Sequence, residues 1–412
     1  MNFIDDFEKT SEGGGGIVGE NNTSTSTSKY EVEEFNNWDD FDLPENILRG
    51  IYAYGYEKPS PIQSRAIKPI IDGKDIIAQA QSGTGKTATF TIGALYHVDT
   101  TMDMTQILVL SPTRELSKQT ANVMTSLGSM MPNLRVQQIV GGSSIQNDVQ
   151  DMKSNTPHII SGCPGRVHDM MRRRYIDTTC IKMIILDEAD ELLTSEFKEQ
   201  IQHIFEYLNE NAQVALFTAT LPESTISIID QIMKDPVKVF VKSEQLTLEG
   251  ISQFFVAIED DRQKYATLKD LYSVISISQC IIYCNTVRRV CDLYDYMANE
   301  GFPVCCIHSG MDKTDRDMAF NDFKTGKYRV LISSNVTSRG IDIQQVSIVI
   351  NFDLPTCVHN YLHRIGRSGR WGRKGVGINL ITRRDVSKLK DIERHYVCQI
   401  NELPANFDKL VR

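Results

Sequence analysis

Residues 80–87 read Ala-Gln-Ser-Gly-Thr-Gly-Lys-Thr, which is a small residue, four variable residues and then Gly-Lys-Thr. The glycines of such a loop let successive backbone N–H groups turn inward and hold phosphate oxygens, while the following helix presents its positive N-terminal end. The flanks fit this interpretation, because residues 75–78 resemble a buried strand and residues 88–97 have a helical pattern. Strand, loop and helix together predict an α/β domain with a phosphate-binding loop.

The side chains of this loop have distinct expected tasks. Lys86 supplies a mobile positive charge for the outer phosphates of a nucleotide, and the Thr87 hydroxyl is placed to ligate Mg²⁺. The residues expected to surround the phosphates are Ser82, Gly83, Thr84, Gly85, Lys86 and Thr87. The loop therefore predicts a site for a magnesium nucleotide.

An acidic segment, Asp187-Glu188-Ala189-Asp190, follows an apolar run at 183–186 that is typical of a strand buried on both faces of a parallel sheet. Asp187 then lies at the carboxyl end of that strand, where open α/β sheets bind ligands. A carboxylate there can hold Mg²⁺ through water, and Glu188 can orient or deprotonate an attacking water. The alternative is an ordinary acidic helix N-terminus, since carboxylates there suit the helix dipole. The phosphate loop upstream favours the first interpretation.

Length and composition limit the class of protein. A chain of 412 residues exceeds the size of one hydrophobic core and predicts two domains. The nine cysteines form no Cys-x-x-Cys pair, which argues against a zinc site or a disulfide framework. No apolar stretch approaches membrane-spanning length, and the acidic N-terminus is unlike a signal peptide. We therefore expect no membrane partner and a location in the cytoplasm, with the nucleus as the alternative.

The net charge of −9 is distributed unevenly along the chain. Residues 1–42 hold eleven Asp or Glu and two Lys, so the rest of the chain is neutral as a whole. Residues 250–412 carry 23 basic and 18 acidic side chains. The second half is therefore the better candidate for attracting the phosphates of a nucleic acid.

The pattern along the chain divides it into four segments. Residues 1–35 are rich in Gly, Ser, Thr, Asn and acid, which predicts a disordered tail. Residues 36–242 and 250–412 each alternate short β-branched runs with helical patterns, which predicts two tandem doubly wound α/β domains with parallel sheets. A polar linker at 243–249 joins them. Because only the first domain has a phosphate loop, we expect a cleft that both domains complete.

A further motif, His-Arg-Ile-Gly-Arg-Ser-Gly-Arg at 363–370, completes a recognisable set. With these motifs, the chain from about Trp38 to Arg412 resembles the DEAD-box RNA helicases of superfamily two. Residues 48–60, 246–251 and 371–376 make it most similar to the subgroup of the translation-initiation helicase, initiation factor four-A, and its exon-junction relative. The resemblance implies two RecA-like domains and an RNA-dependent ATPase that uses ATP and Mg²⁺.

For the base of ATP, the resemblance implies a small group of aromatic and amide side chains. Tyr56 is expected to stack on adenine, and Trp38 stands where the family has an aromatic residue, usually Phe, behind the base. The Gln63 amide offers a donor and an acceptor side by side, which suits the adenine edge. A glutamine on a helix surface is the alternative for Gln63, and its Pro-Ser-Pro-Ile context disfavours that alternative.

The resemblance also assigns residues that act between the domains. Arg367 and Arg370 resemble arginine fingers, which are worth about 10³–10⁵ in rate, and Asp342 resembles a ribose-binding carboxylate. The implied coupling residues, which connect the ATP site to RNA, are Asp190, Thr218, Thr220 and His363. For the arginines, a solvated basic helix face is the alternative, because their threefold spacing permits one.

An RNA groove across both domains is implied as well. Backbone N–H groups, hydroxyls and guanidinium groups there position a strand without reading its sequence. The implied RNA contacts are Pro112, Thr113, Arg114, Gly142, Gly165 and Arg166 on the first domain, and Asn285, Thr286, Arg316, Arg339 and Gly340 on the second. For Arg316 an ordinary surface charge is the alternative, since residues 313–317 hold several charges.

Five departures from the family pattern fall outside the ATP motifs. Thr218 replaces Ser, Cys163 replaces Thr, and Lys313 replaces Gln. Ser-Ser-Asn at 333–335 stands where Ser-Thr-Asp is usual, and His-Ser-Gly at 308–310 replaces His-Gly-Asp. We therefore expect retained ATPase activity with altered RNA affinity or coupling.

Three functions remain to be compared. The leading hypothesis is a helicase that separates short RNA duplexes by closing on one strand, or that remodels RNA–protein complexes, in translation initiation or other mRNA metabolism. The second is an ATP-gated RNA clamp with slow turnover, and the third is an ATPase that translocates DNA or acts on no nucleic acid. The expected partners are single-stranded RNA, bound with little sequence preference, and a scaffold protein of the initiation-factor or exon-junction type, with a monomeric core.

Overall fold

The computed structural model describes residues 30, 32–81, 83–194, 197–241, 251–275, 279–338, 346–368 and 375–404. The predicted linker and most of the predicted tail lie outside these residues. Five predicted site residues also lie outside them: Ser82, Arg339, Gly340, Asp342 and Arg370.

The first sheet is parallel throughout and has the strand order β3-β4-β2-β5-β6-β1-β7. Its strands are β1 (Ile76–Gln79), β2 (Ile107–Leu110), β3 (Val136–Ile139), β4 (Ile159–Gly162), β5 (Met183–Asp187), β6 (Gln213–Thr218) and β7 (Val237–Phe240). Strands β2, β4, β5 and β6 are buried along their whole length, because helices cover both faces of the sheet.

Nine helices accompany this sheet in the described residues. They are α1 (Glu45–Ala53), α2 (Pro61–Ile71), α3 (Lys86–His97), α4 (Arg114–Leu127), α5 (Ile145–Ser154), α6 (Pro164–Arg172), α7 (Ala189–Leu192), α8 (Lys198–Glu206) and α9 (Glu223–Ile232). Local sequence sets where they begin: Ser60 and Gln63 form a capping box at α2, and the Thr113 hydroxyl accepts from the backbone N–H of Leu116 at α4.

The second sheet is also parallel and has the order β10-β11-β9-β12-β13-β8-β14. Its strands are β8 (Ile251–Ala257), β9 (Gln279–Tyr283), β10 (Val304–Ile307), β11 (Val330–Ser333), β12 (Val346–Asn351), β13 (Gly375–Ile381) and β14 (Asn401–Glu402). The helices are α10 (Gln263–Ile275), α11 (Val287–Asn299), α12 (Lys313–Lys324), α13 (Val358–Ile365) and α14 (Val386–Tyr396). The predicted pair of doubly wound parallel-sheet domains is confirmed.

The two strand orders correspond position by position, so β8 takes the place in its sheet that β1 takes in the first. β1 leads into the phosphate loop, whereas β8 leads into an acidic stretch at 259–261 before α10. Near the start of α10, Lys264 donates from Nζ to the carbonyl oxygen of Phe352 at 2.9 Å and lies 3.2 Å from the Asp261 carboxylate. Carboxylates at this position repel phosphates, which leaves the first domain as the one suited to hold a triphosphate.

Part of the predicted tail packs on the first domain. The Tyr30 hydroxyl donates to Asp72 at 2.6 Å, and the Phe35 ring lies 4.8 Å from that of Phe41 between centroids. Tyr30, Val32 and Phe35 border the hydrophobic core on this side of the sheet. A tail boundary at residue 35 is therefore too far along the chain, because these side chains bury apolar surface.

Two general expectations can be compared with the described residues. All nine cysteines are free, and Cys280, Cys284 and Cys305 are buried in the second domain, as expected for reduced core residues. Among the helices that the structure describes, none combines the length and the apolar character that crossing a membrane requires.

Candidate active site

A cavity of about 330 Å³ opens at the carboxyl end of the first sheet. It lies between the loop after β1, the end of β5 and the face of α4 that carries Leu116, Gln119 and Val123. The predicted ATP residues Tyr56, Gln63, Gly83, Thr84, Gly85, Lys86, Thr87, Asp187 and Glu188 all line it. The fold thus brings together residues that the sequence separates by more than a hundred positions.

The phosphate loop holds its lysine in a defined place. Lys86 is only 6% exposed, and its Nζ donates to the carbonyl oxygen of Ala80 at 2.8 Å. Gly85 has a φ of 102°, and a Cβ atom there would lie 2.7 Å from Nε2 of Gln63. Glycine is needed at this position both for its left-handed backbone and for the close approach of α2.

Two carboxylates are crowded at the end of β5. Asp187 and Glu188 are each 2% exposed, and Asp187 Oδ1 accepts from the backbone N–H of Glu188 at 3.0 Å. Burial, together with the neighbouring Glu188 charge, raises the pKa of Asp187 well above its usual range, although Lys86 acts in the opposite direction. Glu188 has a φ of 53°, a strained conformation for a residue with a side chain. A positive charge in the cavity would relieve this crowding.

The part of the cavity that is predicted to hold adenine is lined by two aromatic rings, Tyr54 and Tyr56. Trp38 is fully buried, and its ring lies 6.4 Å from that of Tyr56, which in turn lies 5.0 Å from the ring of Tyr54. The Gln63 amide is fixed because Oε1 accepts from the backbone N–H of Ser60 at 2.7 Å. Sequence reasoning missed Tyr54, although it is two residues before the predicted Tyr56.

Three residues of α4 were also missed as part of this cavity. Leu116, Gln119 and Val123 have the three- and four-residue spacing of one helical face, which was a usable signal. The motif at 112–116 instead predicts that the start of α4 contacts RNA. One helix therefore serves the predicted RNA groove at its N-terminus and the nucleotide cavity along its side.

The predicted coupling residues form one buried cluster across the two domains. Asp190 Oδ2 accepts from the Thr220 hydroxyl at 2.8 Å and lies 3.0 Å from Nε2 of His363, a hydrogen bond in which the ring N–H donates. The Thr218 hydroxyl donates to the carbonyl oxygen of Thr220 at 2.6 Å. His363 belongs to α13 of the second domain, so Asp190 bonds to both domains at once.

Of the two predicted arginine fingers, the structure describes Arg367, and its side chain is buried as well. Arg367 is 3% exposed, and its Nε donates to the carbonyl oxygen of His363 at 3.2 Å. This burial does not match the alternative of a solvated basic helix face. The contact of Arg367 with a γ-phosphate remains a prediction.

On the first domain, the predicted RNA residues follow the strands β2, β3 and β4 and lie in the turns there or at the starts of α4 and α6. Arg114 is packed against Gly142, since a Cβ atom on that glycine would lie 2.5 Å from the guanidinium. Arg166 donates to the Asp148 carboxylate at 2.7 Å and to the Ser143 carbonyl oxygen at 2.9 Å. Pro112 is buried and Gly165 is exposed beside Gln200. Their RNA contacts remain predictions.

On the second domain, Asn285 and Thr286 follow β9, and the Thr286 hydroxyl caps α11 by accepting from the backbone N–H of Arg289. Arg316 of α12 is only 5% exposed, and its Nη2 donates to Oε2 of Glu115 in the first domain at 2.7 Å. The surface alternative for Arg316 therefore does not hold, and its predicted RNA contact remains untested.

Comparisons with known proteins agree with this architecture. Two family models match the chain: DEAD/DEAH box helicase over residues 60–229 and Helicase conserved C-terminal domain over residues 263–372. "ATP-dependent RNA helicase fal1" of Aspergillus fumigatus is 52% identical over 386 residues, which cover 94% of this chain and 96% of that protein. "ATP-dependent RNA helicase eIF4A" of Pyricularia oryzae is 47% identical over 384 residues, covering 93% and 96%.

Among solved structures, Dbp5 of S. cerevisiae bound to RNA and ADP BeF3 superimposes with a TM-score of 0.86 at 32% identity, covering 91% of this chain and 98% of that one. The family, the fold and the enzyme class expected from the sequence are all confirmed. With two matching domain models and relatives at about half identity along nearly its whole length, this chain belongs to the DEAD-box family of ATP-dependent RNA helicases.

Proposed function

We propose that this helicase hydrolyses ATP only when its two domains close on a single strand of RNA, and that closure separates short duplexes. The observation that carries the proposal is the position of Asp190, whose Oδ2 binds Thr220 of the first domain and His363 of the second. Both side chains of the His363–Asp190 contact are almost fully buried. Such a contact forms only when the domains are together.

Within the closed cleft, each side chain has a specific proposed task. Lys86 lies over the phosphate loop and would neutralise the outer phosphates. Glu188, beside the end of β5, would orient a water molecule for attack and take its proton. Arg367 would approach the transferred phosphoryl group from the second domain and stabilise the charge that develops there. The catalytic set is then incomplete in either domain alone.

We propose that Mg²⁺ accompanies ATP. The donor set fits this ion, because the Thr87 hydroxyl and the Asp187 carboxylate line the same cavity and oxygen donors are what Mg²⁺ prefers. The buried Asp187 and Glu188 side chains also need a nearby positive charge. When bound, the ion supplies charge neutralisation between the outer phosphates.

The proposed RNA groove recognises backbone rather than bases. Residues just after the strands that carry hydroxyl, amide or guanidinium groups, such as Thr113, Arg114 and Asn285, suit phosphate and sugar contacts. Asn285 Oδ1 accepts a hydrogen bond from Arg364 Nη2 of α13 at 2.7 Å, which connects the proposed groove to that helix. Little sequence preference is expected from such contacts.

For the setting in the cell, we propose a cytoplasmic role in translation initiation or other mRNA metabolism, with a nuclear role as the alternative. The relatives named eIF4A support the first of these. A protein partner is also proposed, since Dbp5 occurs in solved complexes with gle1 and with nup159. A partner of that kind would act on this chain by favouring or opposing closure.

The test measures ATP hydrolysis and unwinding of a short RNA duplex at increasing concentrations of single-stranded RNA or DNA. RNA, but not DNA, should stimulate hydrolysis, because a groove that contacts 2′-hydroxyls discriminates between them. Replacing His363 by Ala should remove most of the stimulation, whereas the exposed His203 on α8 is the control and should tolerate the same change. Equal hydrolysis with and without RNA would contradict the proposal. ATP-dependent RNA retention without unwinding would instead favour the clamp.

A further inference from the structure

The side chain of Arg364 on α13 is completely buried and makes an unusual number of hydrogen bonds. Nε donates to Asn335 Oδ1 at 2.9 Å, and Nη2 donates to the same oxygen at 2.7 Å and to Asn285 Oδ1 at 2.7 Å. Nη1 donates to Asn351 Oδ1 at 3.2 Å and to the carbonyl oxygen of Asp353 at 2.8 Å. A guanidinium has five N–H groups, so its donor capacity is fully used.

None of these four acceptors is a carboxylate. Asp353 contributes its backbone oxygen, while its carboxylate accepts from Arg289 Nη2 at 2.8 Å. The face of the guanidinium lies over the Tyr283 ring, 5.3 Å from its centroid. Burial lowers the pKa of Arg364 to about 10, which still leaves the group charged at neutral pH. A buried charge without a carboxylate partner is stable only while its hydrogen bonds are complete.

The acceptors belong to three different connections at the carboxyl edge of the second sheet. Asn285 follows β9, Asn335 begins the turn after β11, and Asn351 ends β12. The same helix as Arg364 carries His363, which contacts Asp190 of the first domain. Arg364 therefore connects the loop at Asn285, which is predicted to contact RNA, with α13, the helix that reaches the first domain.

We propose that Arg364 is a positioning residue that makes these loops and α13 move as one unit, and that Asn335 is the acceptor on which this depends. Binding of RNA at Asn285 would then fix the orientation of α13 and hence of His363 and Arg367. The inference rests on the proposed function, since it explains how RNA on the second domain influences hydrolysis.

Asn335 is also one of the departures from the family pattern, which usually has Asp there. The structure assigns a consequence to that departure: the side chain that accepts two of the five Arg364 bonds is neutral. A carboxylate acceptor adds attraction between opposite charges to the hydrogen bonds of a guanidinium, and it allows two parallel N–H···O bonds. A carboxylate at position 335 should therefore hold the Arg364 side chain, and with it α13, more firmly than the natural Asn does.

The experiment compares Asn335→Ala and Asn335→Asp with the unaltered full-length chain. ATP hydrolysis is measured against the concentration of a single-stranded poly-uridine RNA, giving the half-saturating RNA concentration and the saturating rate, and Tm is measured separately. Asn335→Ala should raise the half-saturating RNA concentration roughly tenfold or more and lower the saturating rate, because hydrogen bonds to a buried charge are lost. Asn335→Asp should lower the half-saturating concentration and raise Tm.

Gln279→Ala is the matched control for a structural loss. Gln279 is buried at the start of β9 and donates from Nε2 to the carbonyl oxygen of Phe323 at 2.7 Å, far along the strand from Asn285. It should lower Tm without changing the RNA dependence. The inference is overturned if Asn335→Ala behaves as this control does. If the Ala variant does not fold, an unchanged RNA dependence in Asn335→Asp overturns the inference instead. If RNA does not stimulate the unaltered chain, the proposed function and this inference both fall.

Discussion

At the residue scale, the end of β5 concentrates negative charge in a place that water hardly reaches. Asp187 and Glu188 are both buried, and Glu188 is held in a left-handed conformation that costs energy. Such a conformation persists only because the surrounding structure imposes it. The proposed function gives these two carboxylates different tasks: Asp187 would hold a cation and Glu188 would orient a water molecule.

Replacing Glu188 by Gln tests this separation of tasks. The amide has the same size but cannot take a proton, so hydrolysis should fall by about 10²–10⁴ while ATP and RNA still bind. RNA should then remain bound as long as ATP is present, which filter binding with labelled RNA can measure. Glu191→Gln in α7, the short helix that follows Glu188, is the control and should keep its activity. An unchanged rate in Glu188→Gln would make Glu188 an ordinary acidic residue at a helix start.

Much of the site at this scale was predictable from sequence. Lys86, Thr87, Asp187 and Glu188 stand in motifs whose spacing is set by one loop or one strand end, and such local rules survive any arrangement of the domains. The partner of Arg316 was not predictable in the same way, since Glu115 lies 201 residues away along the chain. Nothing in either local pattern indicates that the two side chains meet.

At the scale of elements, α4 and α12 make two ion pairs across the domain interface that differ in burial. The side chains of Arg316 and Glu115 are each 6% exposed, whereas those of Lys118 and Asp317 are 52% and 40% exposed. The second pair spans 3.1 Å between Lys118 Nζ and Asp317 Oδ2. A buried pair that loses one partner leaves an uncompensated charge, while an exposed pair is screened by water and salt.

Neutralising one partner of each pair should therefore weaken closure to different extents. Glu115→Gln should destabilise the closed state by several kcal/mol, and the matched variant Asp317→Asn by less than about 1 kcal/mol. Closure is measured as ATP-dependent affinity for single-stranded RNA. Equal effects of the two substitutions would show that burial does not decide the strength of these contacts.

Element boundaries were predicted well where a buried strand or an apolar helical pattern is encoded locally, as at β5 and α3. The boundary of the tail was predicted less well, because residues 1–35 are mostly polar and yet three apolar side chains in the described part of this segment pack on the first domain. Tyr30, Val32 and Phe35 are spaced at two and three residues among polar neighbours, a pattern too short to show periodicity. Their packing depends on a surface that the rest of the first domain provides.

At the scale of the whole molecule, truncations separate the acidic tail from the packed part. Removing residues 1–29 should leave RNA-stimulated hydrolysis and Tm nearly unchanged at moderate salt, since that segment contains no catalytic motif. Removing residues 1–35 should lower Tm, because the contacts of Tyr30 and Phe35 are lost as well. A large loss of activity in the shorter truncation would mean that the acidic tail acts on the core.

The relation between the two domains is where sequence reasoning was least able to go beyond resemblance. Two similar parallel sheets and one phosphate loop indicated a cleft shared by the domains. In the structure, Asp190 and Arg316 make buried contacts across the interface between the domains. The central claim is that neither domain alone is a competent ATPase. Arg367 carries this claim, since it comes from the domain without a phosphate loop.

The most direct measurement is therefore the ATPase rate of Arg367→Ala at increasing RNA concentration, alongside its affinity for ATP. The account predicts a loss of about 10³ or more in rate that saturating RNA does not restore, with ATP affinity changed far less. Arg394→Ala, an exposed arginine on α14, should behave as the unaltered chain. Recovery of the full rate by Arg367→Ala at high RNA concentration would contradict the account, because Arg367 would then serve only to bind RNA.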